Sequence, residues 1–325
     1  MPPTLELERF TRARERISGA VHRTPVLSSQ AISRRAGIPV RLKAEHLQKT
    51  GSFKTRGALN CMLALGPEAR SRGVVTISAG NHAQAVAWAA ARVGARAKVV
   101  MPAAASPTKA RASAEYGAEV VLHGTALEAF QKAFDLAREE GLTFVHPFDD
   151  EEVLAGQGTV GLEIAEDVPD AATVVIPVGG GGLCAGTARA LSHVLPRARV
   201  WGVEPEGAAA MALSLDGGAP VRLETVSTIA DGLAAPMAGE LTYPLIRDHC
   251  EGVVTVTDDE IASALALVLE RTKQLLEPAG AAGVAALLSG RVPAGDGPTV
   301  VVLSGGNVDL DRLPSLLERA ARSGV

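Results

Sequence analysis

Cysteine is scarce in this chain: Cys61, Cys184 and Cys250 stand far apart in 325 residues, so neither a zinc-type cluster nor a CxxC redox pair is visible. An odd, sparse count suits a reducing cytoplasm. No apolar run reaches membrane-spanning length. The amino terminus, MPPTLELERFTRARER, is charged from its sixth residue onward and lacks the apolar core of a signal peptide. Charge of one sign is not in excess either; a net charge of −4 gives no electrostatic case for nucleic acid or an anionic membrane surface. Aromatic residues make up only 3%, while alanine, glycine and valine abound. Such small side chains let helices pack closely on a sheet but identify no activity. The 47% hydrophobic content supports a large core, and a length of 325 residues suggests about two domains.

What the chain does have is alternation. Short β-branched runs recur at 40–45, 74–78, 97–102, 119–124 and 142–147, and again at 174–179, 200–205, 253–258 and 299–305. Between them lie helical stretches such as NHAQAVAWAAARVG and EIASALALVLERTKQLLE. Continuous apolar strands separated by helices of this size predict parallel sheets with helices on both faces. The expected fold class is α/β, with two doubly wound parallel-sheet domains. Residues 69–147 are expected to form a small domain, and 1–68 plus 148–325 a larger one.

Ligands of open parallel sheets bind beyond the carboxyl ends of the strands. At those ends stand Ser78-Ala79-Gly80-Asn81-His82, Gly179-Gly180-Gly181-Gly182-Leu183, Glu204-Pro205 and Ser304-Gly305-Gly306-Asn307. Consecutive glycines let the backbone turn its N–H groups toward an anion, and a helix starting near Leu183 adds the positive end of its dipole. With no Lys or Arg nearby, a phosphate would be held mainly by backbone. A tight turn is the plainer reading, but glycine costs up to about 1 kcal/mol relative to alanine inside regular structure, which favours a cradle. Gly180, Gly182 and Ala185 also satisfy GxGxxG/A, with Glu204 about 20 residues on, as in a dinucleotide site. That alternative leaves the SAGNH and SGGN loops unexplained. Ser78, Asn81 and His82 supply donors beside helix N-terminal amides, where a small carboxylate could sit. Ser78 or Asn81 could equally cap the helix, and His82 alone reads as packing. His22, His46, His123, His146, His193 and His249 show no metal-ligand spacing.

Lys54, in KTGSFKTRGA, falls just inside a predicted helix start, where the backbone field disfavours a cation. Together, GSFKTRGA, SAGNHAQA, VGGGGL and LSGGNVDL, with HRTPVLSS, HPFDD, GQGT, TIADGLA and EPAGAA between and around them, resemble the fold-type-II pyridoxal-phosphate (PLP) enzymes nearly end to end. The resemblance is to the threonine/serine dehydratase and serine racemase branch, and it implies a tryptophan synthase β-like fold. It implies that Lys54 is the catalytic lysine, joined covalently to pyridoxal 5'-phosphate. Phe53 would lie against the pyridine ring, Asn81 would bond the ring's 3′-oxygen, and Ser304 would partner the ring nitrogen. Gly179, Gly180, Gly181, Gly182 and the Leu183 amide would hold the phosphate. Ser78, Asn81 and His82 would receive the substrate carboxylate. The physics agrees: a lysine must lose its proton to attack a carbonyl, and a helix N-terminus with a desolvated pocket makes that easier. A neutral serine at the ring nitrogen makes a weaker electron sink than a carboxylate would, which suits elimination better than transamination.

The activity implied is loss of water from L-threonine or L-serine, giving 2-oxobutanoate or pyruvate plus ammonia, with Lys54 taking the Cα proton and the cofactor phosphate acting as acid. Other readings are dehydration of 3-hydroxyaspartate or phenylserine, β-replacement, serine racemisation and, remotely, a non-catalytic nucleotide-binding α/β protein. Racemisation in this group needs a serine where Ala79 stands. Members of the branch also bind Mg²⁺ or Ca²⁺ through the VEP segment. Glu204 is present, but the expected acidic partner near 210 is Ala210, and a solvated strand-end carboxylate reads as well. The resemblance further implies an amino-acid substrate and a homodimer or higher homo-oligomer, with no nucleic-acid or membrane partner. The chain ends soon after SGGNVDL, so no isoleucine-sensing regulatory domain is expected. Residues around 228–237 are expected near the substrate side chain.

Overall fold

The computed structural model describes residues 5–323, among which ten strands form two sheets. In chain order they are β1 (Val26–Ser28), β2 (Val40–Lys43), β3 (Val74–Ile77), β4 (Ala97–Met101), β5 (Glu119–Leu122), β6 (Thr143–Phe144), β7 (Thr173–Pro177), β8 (Arg199–Pro205), β9 (Gly252–Val256) and β10 (Thr299–Val302). The larger sheet runs β1-β2-β10-β7-β8-β9 and the smaller β5-β4-β3-β6. Every pairing is parallel except β1 with β2. Strands β7 and β10 are buried at every position, as expected of central strands covered by helices on both faces. Beyond the one antiparallel strand, β1, the α/β reading with parallel sheets stands. Except at β8, which ends with its predicted run at Pro205, the predicted runs overreach the strands at their carboxyl ends, where the residues already belong to loops.

Strand order positions the loops. β10 and β7 are neighbours, so the Ser304 loop and the four-glycine loop leave the same edge of the sheet side by side. β3 is flanked by β4 and β6, so the Ser78–His82 loop leaves the middle of the small sheet.

A helix at Glu151–Asp167 joins these parts. It is buried continuously from Val153 to Ile164, and its N-cap, Asp150, accepts the amides of Glu152 and Val153. Its glycines explain the GQGT stretch. A Cβ on Gly156 would lie 2.6 Å from both the Arg56 carbonyl oxygen and Gly57 Cα. A Cβ on Gly186, across the opposite contact, would lie 2.4 Å from the Leu154 carbonyl oxygen. The helix therefore meets the backbone of the Lys54–Ala64 helix on one side and of the Gly182–Val194 helix on the other.

Beneath the Lys54–Ala64 helix lies a set of paired charges. Arg56 donates to both Glu45 oxygens at 2.8 Å and to Glu163 at 2.7 and 2.8 Å, and Lys43 donates to Glu163 at 2.6 Å. All four side chains are buried. Burial would raise the Glu45 carboxyl, but the guanidinium of Arg56 beside it prevails and holds it below the usual carboxylate range.

Cys184 and Cys250, distant in sequence, come within 3.7 Å at sulfur, and all three cysteines are free thiols. No helix among the described residues is long and apolar enough to cross a membrane.

Replacing Gly156 with alanine tests the backbone contact. Helix propensity alone would stabilise the variant by about 1 kcal/mol. The contact should reverse that sign, with a net loss of about 1–3 kcal/mol read from urea denaturation, as for other overpacked cores; a stabilised variant would contradict it.

Candidate active site

A cleft of about 1510 Å³ opens at the carboxyl edges of both sheets. It gathers Phe53, Lys54, Ser78, Asn81, His82, Gly179–Gly182, Leu183 and Ser304, all singled out from sequence, and Ala79 beside them. Glu204 is not on its wall. From the 228–237 segment, Ile229 and residues 231–237 line it.

Lys54 is the first residue of its helix, and its Nζ donates to the Pro147 carbonyl at 2.6 Å, 5.2 Å from the Phe53 ring centre. Burial pushes the ammonium down to about 8, opposed in part by the Glu277 carboxylate. A large fraction of this amine is therefore neutral near pH 8. The nearby imidazoles do not compete for its proton. Burial and then the Lys54 charge hold His82 well below its ordinary value, and burial brings His146 down to about 4. His146 Nδ1 accepts the amides of Phe148 and Asp149 at 3.3 and 2.8 Å.

The glycine loop is shaped from behind. Gly181 sits at φ +95°, and a Cβ there would lie 2.7 Å from Thr242 Oγ1. On Gly180 a Cβ would fall 2.2 Å from the Phe148 ring, and on Gly182 3.0 Å from Phe148 Cα. Thr242 Oγ1 also donates to the Gly180 carbonyl at 2.7 Å, while the Asp149 carboxylate accepts the amides of Glu240, Leu241 and Thr242. The loop's backbone is thus fixed, and the helix it opens, Gly182–Val194, presents first-turn amides with no carbonyl of their own. A small anion fits that arrangement without any cationic side chain.

The loop after β3 is different. Gly80 caps the helix Asn81–Arg92, so neither Ser78 nor Asn81 is the cap; Ser78 Oγ instead accepts the Gly80 amide at 3.1 Å. His82 is buried, its Nε2 lies 3.2 Å from the Val145 carbonyl, and its Nδ1 has no partner. As a neutral ring donating from Nε2, it turns a lone pair rather than an N–H to any further ligand, leaving its backbone amide as the donor. Ser304 is buried with a single long bond, 3.5 Å to the Ala279 carbonyl, so its hydroxyl is available to a ligand.

Glu204 is fully buried, and its two oxygens accept the amides of Met211 and Ala212 at 2.9 and 2.8 Å, at the start of the helix Ala210–Gly217. It is not the solvated strand-end carboxylate that the sequence also allowed. Among the described residues no three His, Cys, Asp or Glu side chains gather as a metal site.

Glu277 and Phe148 escaped the sequence reading, and Asn307 entered it only as part of a strand-end loop. Glu277 and Asn307 both line the cleft and both bond to Asn81. Phe148 packs on the glycine loop. Their motifs, EPAGAA, SGGN and HPFDD, were visible as strings, but nothing local indicated what each side chain meets.

The sequence profile of the family described as "pyridoxal-phosphate dependent enzyme" matches residues 17–305. The chain is 47% identical over 320 residues to L-threonine ammonia-lyase of Geobacter sulfurreducens, covering 98% of this chain and 79% of that one. Among solved structures, maize serine racemase superposes with a TM-score of 0.92 at 37% identity, covering 98% of each chain. The processed form of threonine deaminase isoform 2 from Solanum lycopersicum does so with a TM-score of 0.92 at 38% identity, covering 98% of this chain and 94% of that one.

The depressed Lys54 value carries a signed expectation. Reductive alkylation of Lys54 by a small aldehyde, followed by mass spectrometry, should rise with pH and reach half its plateau near pH 8. Exposed lysines should still be climbing toward about 10.4; a Lys54 profile that climbs with them would show that the amine is not desolvated.

Proposed function

The chain belongs to the pyridoxal-phosphate-dependent enzymes, and from that premise we propose that it is a threonine/serine dehydratase, an ammonia-lyase. It converts L-threonine to 2-oxobutanoate and ammonia, and L-serine to pyruvate and ammonia. The observation that carries the reading is the Lys54 amine, lowered to about 8, in one cleft with a glycine cradle, a buried free hydroxyl and a helix N-terminus. The relatives named for threonine ammonia-lyase and threonine deaminase support the choice of substrate.

The residues present fit pyridoxal 5'-phosphate. The loop that Phe148 and Thr242 press from behind at Gly180 and Gly181, with the Leu183 amide, would take the phosphate. Phe53 would lie beside the ring, Asn81 would donate to the 3′-oxygen, Ser304 would serve the ring nitrogen, and Lys54 would provide the covalent attachment. When bound, the cofactor would draw electron density from the substrate's Cα, acidifying its Cα–H and letting the β-hydroxyl depart.

The chain's own groups do the rest. The substrate carboxylate is received by the Ser78 hydroxyl and by the amides of Asn81 and His82 at the helix N-terminus. Lys54 Nζ, neutral above about 8, accepts the Cα proton. Ala79 offers only a methyl group, which cannot move a proton, so elimination is favoured over racemisation. Residues 69–147, carrying the smaller sheet, are the part that would close over the substrate. Glu204 is assigned to capping the Ala210–Gly217 helix. A homodimer in the cytoplasm, where its free thiols remain reduced, completes the reading.

Keto-acid formation measured across threonine, serine, 3-hydroxyaspartate and phenylserine tests the assignment. Threonine and serine should be turned over and the other two should not; the reverse preference would sink it. Lys54→Ala should lose the visible absorbance of the cofactor-loaded protein, and kcat should fall by about 10³-fold, within the range for removing a general base.

A further inference from the structure

Around Asn81 a chain of amides and one carboxylate is closed at both ends. Asn307 Nδ2 donates to the Thr50 carbonyl at 2.7 Å and to Asn81 Oδ1 at 2.7 Å. Asn81 Nδ2 donates to Glu277 Oε1 at 2.6 Å. A carbonyl oxygen can only accept, so Thr50 fixes which end of the Asn307 amide is nitrogen. That nitrogen in turn fixes the Asn81 oxygen. From the other side Glu277, whose carboxyl burial raises to about 7, fixes the Asn81 nitrogen in its ionised form. Two independent anchors thus give the same orientation of one amide.

The relay also explains glycines in two motifs. A Cβ on Gly51, which sits at φ +75°, would lie 2.3 Å from Asn307 Oδ1. A Cβ on Gly305 would lie 2.1 Å from Glu277 Oε1 and 3.1 Å from Asn81 Nδ2. The glycines of KTGSFK and SGGN leave the volume that this chain of hydrogen bonds fills. The loop after β3 and the loop after β10 thereby meet through side chains, although they belong to different sheets.

With Oδ1 occupied and one Nδ2 hydrogen committed, Asn81 keeps a single N–H that has no acceptor among the described residues, on a side chain that lines the cleft. We propose that Glu277 and Asn307 are positioning residues that lock Asn81 as an obligate N–H donor to an anionic ring oxygen of the bound cofactor. The inference rests on the cofactor reading above and adds to it the reason why Asn81 cannot present its carbonyl instead. An unlocked amide would rotate about its terminal torsion, which is broad and roughly two-fold, and would lose the preference. Asn307 also strengthens the remaining N–H, because its donation to Oδ1 polarises the Asn81 amide in series.

Three variants test the lock in purified full-length protein, with cofactor affinity and the visible spectrum of the loaded form as readouts. Asn307→Asp removes the donor that faces both Thr50 and Asn81 while keeping the size. Glu277→Ala removes the acceptor, and Glu277→Gln keeps an acceptor oxygen without the charge. Asn307→Asp and Glu277→Ala should bind pyridoxal phosphate about 10- to 100-fold more weakly, as expected for losing a hydrogen bond to a charged group. Both should also shift the absorption of the bound cofactor, whereas Glu277→Gln should restore wild-type affinity and spectrum. If Asn307→Asp does not fold, by far-UV circular dichroism of the apoprotein, the two Glu277 variants decide. Variants indistinguishable from a cofactor-binding wild type would overturn the lock alone. A wild type that takes up no cofactor would overturn the reading beneath it.

Discussion

The site depends on how closely the helix Glu151–Asp167 approaches two others. Gly156 and Gly186 bring its backbone against the helix that begins with Lys54 and the helix that begins with the glycine loop. The reactive amine and the anion cradle are the first residues of those two helices. Their separation is therefore set by backbone contacts rather than by deformable side chains, and close-packed interiors resist small displacements. Catalysis needs reacting groups held within fractions of an ångström of a productive geometry. A helix buried along most of its length is a suitable spacer for that purpose.

The charges beneath the lysine helix serve the same end. Arg56, two residues after Lys54, is held by Glu45 from the turn after β2 and by Glu163 from the spacer helix, to which Lys43 also donates. Arg56 and Lys43 face Glu45 and Glu163, and Lys43 also reaches Asp167 at 3.5 Å. Such clusters contribute little net stability compared with apolar packing, but removing a single member is costly. Here the geometry joins three segments far apart in sequence at one point below the site. The positive charge next to Lys54 is paired with carboxylates, while Lys54 itself donates to a neutral carbonyl.

Much of the fold could be read from the chain because parallel strands covered on both faces are continuous apolar runs. β7 and β10 are of this kind. β1 was missed because it is short and half-exposed and pairs antiparallel at an edge. The motif residues are local strings at strand ends and were equally readable. What they touch was not. A glutamate just before a helix-starting proline reads as an acid favoured by the helix dipole, and nothing local says that Glu277 is buried against Asn81. Gly51 and Gly305 read as turn formers, yet the side chains that require their lack of a Cβ come from elsewhere in the fold. The ring of His82 was readable as present, but which nitrogen it spends on Val145 depends on the neighbouring strand's exit.

Residues 147–150, where the chain leaves the smaller sheet, each hold a different part of the site. Pro147 receives the Lys54 amine, Phe148 backs the glycine loop, Asp149 gathers the amides at 240–242, and Asp150 caps the spacer helix. This stretch therefore belongs functionally to the larger sheet. In recombination between related chains, a crossover placed after residue 150 would import foreign supports for the recipient's lysine and cradle. A crossover placed before residue 147 would exchange the smaller sheet as a cassette and leave those supports native.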